Sequence, residues 1–124
     1  MDKVVHFEIP TDDLSRAKEF YSSVFGWELQ TMEEMPYTIV RTTPVDESQM
    51  PTEPGAINGG MMQRTAETPG PVLTIGVDSI EASLKQLEAA GGDIVQPKTD
   101  IPGMGAFAYA KDTEGNVIGL WESA

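Results

Sequence analysis

The strongest constraint on this chain is that it reads as one pattern written twice. Between residues 6 and 30 it aligns without a gap with a second stretch at a constant offset of 66 residues. His6 falls on Val72, Asp12 on Asp78, Leu14 on Ile80, Gly26 on Gly92 and Gln30 on Gln96. A later echo, at an offset of 70, sets Tyr37-Thr38-Ile39-Val40-Arg41 against Phe107-Ala108-Tyr109-Ala110-Lys111. Self-similarity at a fixed period is the mark of a duplicated structural unit. Whatever fold one copy adopts, the other is expected to adopt as well.

Hydrophobic periodicity says what that unit is. From Val4 to Ile9 apolar residues alternate, as in a strand with Val5, Phe7 and Ile9 under a helix and Val4, His6 and Glu8 on the opposite face. Pro10 is expected to end the strand. Asp12 or Asp13 can cap a helix in which Leu14, Ala17, Phe20, Tyr21, Val24 and Phe25 form an apolar stripe, and Gly26 can stop it. Strands are predicted at 27–32, 37–43 and 56–63. Pro44 to Pro54 is a loop, and the Asn58-Gly59 pair, which could make a hairpin turn, is assigned to the strand. After a linker at 65–71, the second copy predicts a strand at 72–77 with Leu73, Ile75 and Val77 facing a helix. Asp78 and Glu81 resemble a capping box. Ile80, Leu84, Leu87 and Ala90 form that helix's stripe, and Gly91-Gly92 ends it. Strands follow at 93–96, 104–111 and 116–122, with a second Pro/Gly loop at 98–103. The predicted fold class is α+β: two βαβββ modules in tandem forming a curved mixed sheet around a cleft. They make a single domain, 1–124, with module 1 at about 1–64 and module 2 at about 70–124. Val4/His6/Glu8, Val72/Thr74/Gly76 and Val117/Gly119/Trp121 are the faces left to line the cleft, where small ligands usually bind.

Composition narrows the function classes. Twenty acidic residues against eight basic ones give a formal net charge of −12. Such a surface repels phosphate backbones, so no nucleic-acid partner is expected. No apolar run approaches the length of a membrane helix, and the N-terminus lacks the features of a signal peptide. There are no cysteines, which excludes disulfides, thiolate metal sites and thiol nucleophiles. The expected location is the cytoplasm.

Three segments resemble the vicinal oxygen chelate superfamily, which includes glyoxalase I, bleomycin-resistance proteins and extradiol dioxygenases. They are His6-Phe7-Glu8-Ile9 with Asp13-Leu14 and Phe20 to Trp27; Leu73-Thr74-Ile75-Gly76-Val77-Asp78; and Asp112 to Glu122, with its Gly115-Asn116-Val117-Ile118-Gly119-Leu120-Trp121 core. The resemblance implies the paired-module fold and, in glyoxalase-type relatives, a divalent metal held by four side chains from the first and last strand of each module. Only His6 fits that pattern. The second position lies within 56–63, which has no His, Asp or Glu, and the third and fourth fall on Val72 and Gly119. A divalent metal is therefore disfavoured and no cofactor is expected.

The candidate site residues are His6 and Glu8, which could move a proton or bind a ligand, with Asn58, Thr74 and Trp121 as further ligand contacts. Trp121 could stack on a flat ligand or simply pack in the core. Glu122 should point away from Gly119 and Trp121. Three function classes stay open: a binding or sequestering protein for a small, partly apolar molecule; a metal-dependent lyase or dioxygenase; and a metal-free isomerase or lyase using His6 and Glu8. Relatives of this length commonly pair, and exposed strand edges in so short a chain favour pairing, so a homodimer is expected.

Overall fold

The computed structural model describes residues 1–124. The element order is β1 (Lys3–Thr11), α1 (Leu14–Phe25), β2 (Glu28–Thr31), β3 (Thr38–Arg41), β4 (Gly59–Gln63), β5 (Val72–Gly76), α2 (Ile80–Ala89), β6 (Asp93–Ile101), β7 (Gly105–Lys111) and β8 (Val117–Ser123). The βαβββ order occurs twice and the class is α+β, as the repeat requires. The chain divides into two compact units, residues 6–71 and residues 72–124 with 1–5.

In the first unit the strands lie in the order β2-β3-β4-β1. β1 runs parallel to β4, while β3 is antiparallel to both β2 and β4. β1 does not stop at Pro10, as expected, but continues to Thr11. The carbonyl of Thr11 accepts the Arg64 N–H on the β4 side. Alternate residues of a strand point their backbone groups to opposite edges, so the N–H that Pro10 lacks is not one β4 needs. Asp13 caps α1 by accepting the Arg16 N–H at 3.0 Å. Gly26 closes the helix in the left-handed conformation, with φ 72°.

The apolar stripe of α1 is not buried as expected. No residue of the helix is fully covered, and Phe20, Val24 and Phe25 are 52, 56 and 58% exposed. The inner side of the stripe joins an aromatic cluster around Trp27. Tyr21 stacks on that indole at 4.9 Å, with Phe25 at 5.7 Å and Phe7 at 5.8 Å. Beyond it, Thr38, Val40 and Met61 are buried in β3 and β4.

The second unit has the order β5-β8-β7-β6. Its core joins Ile80 and Leu84 of α2 to Ala106, Ala108, Ala110 and Leu120, with Ile75, Val77, Leu87 and Ile118 packed around them. β7 supplies only alanines to this face, which lets α2 lie close to the sheet. Leu73 and Val5, expected under helices, are 57% and 42% exposed. The ten-residue α2 packs on β6, β7 and β8, so Leu73 at the start of β5 lies outside its footprint.

Ser79 is the N-cap of α2 and accepts the Ala82 N–H, in place of the expected Asp78. The cap must directly precede the first helical residue, Ile80. Glu122 adds to this end of the helix: its carboxylate accepts the Ile80 N–H at 2.8 Å and pairs with Lys98 at 3.0 Å. Those two contacts, the backbone bond first, hold the Glu122 carboxyl below the usual carboxylate range. The predicted 98–103 loop is mostly strand. β6 runs to Ile101, with register shifts between Ile94 and Gln96 and between Gln96 and Thr99. Pro97 lies within the second shift, on the outermost strand of its unit, where a missing N–H is tolerated.

Leu84→Ala should cost about 2–5 kcal/mol, because it opens a cavity among packed neighbours. Phe20→Ala, at a ring half in water, should cost about 1 kcal/mol or less. Urea unfolding followed by circular dichroism checks the difference, and equal costs would mean that α1 is covered in solution.

Candidate functional site

The polar centre of the first unit is built by three strands around a glycine. The pairing sets Glu8 of β1 opposite Gly60 of β4, and Gly60 opposite Ile39 of β3. His6 lies two residues before Glu8 and shares its face; Tyr37 lies two residues before Ile39 and shares its face. A Cβ placed on Gly60 would lie 1.9 Å from the Tyr37 hydroxyl. The missing side chain is therefore the space through which Tyr37 crosses to β1. Gly59 beside it would clash with the Phe7 carbonyl at 2.3 Å if it carried a Cβ, so the closeness of β1 and β4 also rests on glycine.

Tyr37 reaches both candidate residues. Its hydroxyl donates to Glu8 Oε2 at 2.8 Å and lies 2.7 Å from His6 Nε2. Glu8 is buried, at 8% exposure. Burial holds the His6 imidazole below its ordinary pKa, and the nearby Glu8 charge opposes this in part. The unit thus holds a base, a phenol and a carboxylate in one hydrogen-bonded chain, an arrangement that can orient a ligand or pass a proton.

His6 and Glu8 come together as the strand parity implies. Tyr37, which joins them, was not among the residues singled out in the sequence. The usable signal was a glycine in β4 facing a strand that begins with an aromatic residue. Asn58 is engaged elsewhere: its Oδ1 accepts the N–H groups of Thr42 and Thr43 at 2.8 and 3.1 Å, and its Nδ2 donates to the Thr43 carbonyl. It clamps the end of β3 to the approach of β4. In the second unit Thr74 is buried on β5 opposite Gly119 of β8. Trp121 is half-buried on β8, and its ring lies 2.9 Å from where a Gly105 Cβ would stand.

The metal pattern of glyoxalase-type relatives does not fit these residues. No group of three or more His, Cys, Asp or Glu side chains converges anywhere in the chain. His6 Nε2 is already bonded to Tyr37. A side chain at Gly119 would meet the Thr74 hydroxyl at 2.7 Å. A cavity of about 320 Å³ exists in the first unit, lined by Pro10, Asp12, Arg16, Phe20, Tyr21 and Arg64 among others. It includes none of His6, Tyr37 and Glu8, and its Arg64 is paired with Asp12 at 2.9 Å.

Two outcomes are expected from this geometry. A histidine with a lowered folded pKa adds stability that is complete above its unfolded value of about 6.5 and is lost as pH falls below it. Wild type should therefore lose more stability than His6→Gln on acidification through that range, as measured by urea midpoints. Gly60→Ala should cost about 1–3 kcal/mol, since its methyl displaces the Tyr37 hydroxyl, and the same titration should report a changed His6 pKa.

Residues 3–43 match the family described as bleomycin resistance protein-like N-terminal. A glyoxylase-like domain-containing protein of Didymella fabae is 32% identical over 88% of this chain and 84% of its own length. A protein of Vibrio parahaemolyticus named "Probable lactoylglutathione lyase" is 30% identical over 95% of this chain and 88% of its own. Among solved structures, a hypothetical protein from Bacillus halodurans C-125 superposes with a TM-score of 0.69 at 17% identity, covering 99% of this chain and 95% of that one. The duplicated βαβββ fold and these two relatives, matched over most of their length, lead to one conclusion: the chain belongs to the glyoxalase-like family of the vicinal oxygen chelate superfamily.

Proposed function

We propose that this protein binds a small, partly apolar molecule beside His6, Tyr37 and Glu8, without a tightly held metal. The carrying observation is the bond between His6 Nε2 and the Tyr37 hydroxyl, whose own proton is given to Glu8. It engages a ring nitrogen of the only histidine and uses the Glu8 carboxylate as an acceptor, and this polar group supports the reading of a ligand anchor here. The glyoxalase-like and bleomycin-resistance-like relatives support a small-molecule role. A metal-free isomerase or lyase is the second reading, favoured by the continuous path from His6 to Glu8.

Association with a second copy belongs to the same proposal. The exposed Phe20, Val24 and Phe25 give α1 an apolar face on a chain whose net charge is otherwise −12, and contiguous apolar patches mark contact surfaces. A cytoplasmic setting accords with the absence of cysteines. No helix is long and apolar enough to cross a membrane.

A thermal-shift screen of small aromatic and aliphatic compounds tests the reading, since a ligand of the native state raises apparent stability. A hit should lose its shift in His6→Ala and in Tyr37→Phe, and a shift that survives both places the ligand elsewhere. Protein dialysed without chelator should carry well under one equivalent of zinc, nickel, iron or manganese. Stoichiometric metal that disappears in His6→Ala would overturn the metal-free part. Light scattering should give twice the 13.4 kDa chain mass, falling toward the monomer in Phe20→Ser/Phe25→Ser.

A further inference from the structure

The cavity of about 320 Å³ in the first unit lies where β1 ends and α1 begins. The strand end supplies Ile9 and Pro10 to its lining. The helix supplies Arg16, Ala17, Phe20 and Tyr21, which fall at positions i, i+1, i+4 and i+5 and so share one face of α1. Ala17 puts only a methyl group into this face, and no residue of the helix is fully buried, so the space against the strand end stays open. The chain has three arginines, and two of them, Arg16 and Arg64, line this one cavity. The Arg16 guanidinium makes no hydrogen bond or ion pair, although the chain carries twenty acidic residues. Arg64 donates from Nε to Asp12 and from Nη1 to the Pro69 carbonyl, which leaves Nη2 without a partner. The acids beside them are engaged by the chain: Asp12 Oδ1 accepts from Arg64, and Asp13 Oδ1 accepts the Arg16 N–H as the helix cap. Fork-shaped N–H donors therefore remain open beside an apolar wall.

We propose that this cavity is a second ligand site, separate from His6, Tyr37 and Glu8, and that it takes a small carboxylate with an apolar body: the carboxylate on Arg16 and Arg64, the body against Ala17, Phe20 and Tyr21. The planar guanidinium fork matches a carboxylate with two parallel bonds, which a lysine's point charge does not. The volume lies at the lower end of the roughly 300–1,000 Å³ of ligand pockets, which suits a single-ring acid better than a nucleotide or coenzyme. The lining holds two acids beside its two arginines, so net charge does not choose the ligand. Fork geometry joined to apolar area does. An inorganic anion gains only the first of these, and a neutral ring only the second. Because the cavity contains none of the residues of the His6 group, the two sites stand or fall separately.

Benzoate, benzyl alcohol and inorganic phosphate are the probes, each titrated into nitrogen-15-labelled protein at constant ionic strength. Benzoate should move the amide signals of residues 12–17 and 64, with a Kd on the order of 1 mM. Benzyl alcohol, which keeps the ring and loses the carboxylate, should bind at least about tenfold more weakly, the worth of a charge-assisted hydrogen bond. Phosphate, which lacks the ring, should also bind at least about tenfold more weakly. Arg16 is exposed, so Arg16→Gln should fold as wild type does and weaken benzoate about tenfold. Arg16→Lys keeps the charge without the fork and should not restore the binding. Ala17→Leu fills the space, leaves every charge in place and keeps a good helix former; with its spectrum still that of the folded protein, it should weaken benzoate at least about tenfold. No movement of residues 12–17 and 64 by benzoate up to about 20 mM, or binding unchanged in both Arg16→Gln and Ala17→Leu, overturns the site. Benzyl alcohol or phosphate binding as tightly as benzoate overturns the ligand class. Shifts centred on residues 6–8 and 37 instead place benzoate in the His6 group, which overturns this proposal and supports the earlier reading.

Discussion

The first unit depends on the absence of a side chain at Gly60. The Tyr37 hydroxyl stands where that residue's Cβ would be, 1.9 Å from the position it would take. With Glu8 across one edge of Gly60 and Ile39 across the other, the gap lies in the middle of three paired strands. A phenol entering it from β3 meets β1 at His6 and Glu8. The bond that buried Glu8 accepts there offsets part of the cost of burying a carboxylate.

The same gap bears on the metal pattern that glyoxalase-type relatives use. A ligating side chain at Gly60 and a phenol crossing over Gly60 compete for one volume. Here the phenol has it, and His6 Nε2 is bonded to the Tyr37 hydroxyl. In the second unit Gly119 lies against Thr74, so the last strand also contributes packing where a ligand would be needed. The family supplies a fold on which several chemistries can be placed. What this chain places on it is a hydrogen-bonded acid, phenol and imidazole.

The two copies solve the packing of helix on sheet differently. α2 lies on three alanines of β7 and seals an aliphatic core. α1 meets larger groups, and its rings gather around Trp27 instead of interlocking with the strands. Phe20, Val24 and Phe25, on the outer side of that helix, stay more than half exposed. The divergence of the two copies therefore has a structural meaning: one helix face is finished within the chain and the other is not.

The duplication, the βαβββ order, the helix ends at Asp13 and Gly26, and the shared face of His6 and Glu8 were all legible in the sequence. Each depends on contacts a few residues apart or on the period-two alternation of a strand. The strand through Pro10, the length of β6 around Pro97 and the cap at Ser79 departed from the local reading. In the strands, the neighbour across the ladder decides whether a missing N–H matters, and in the cap, the first helical residue does. Tyr37 belongs to the same class. Nothing within several residues of it specifies a partner, and its role arises only when β4 sets a glycine between β3 and β1. Periodicity says which face a side chain takes, while register across strands decides which distant residues share that face and whether there is room for them to meet.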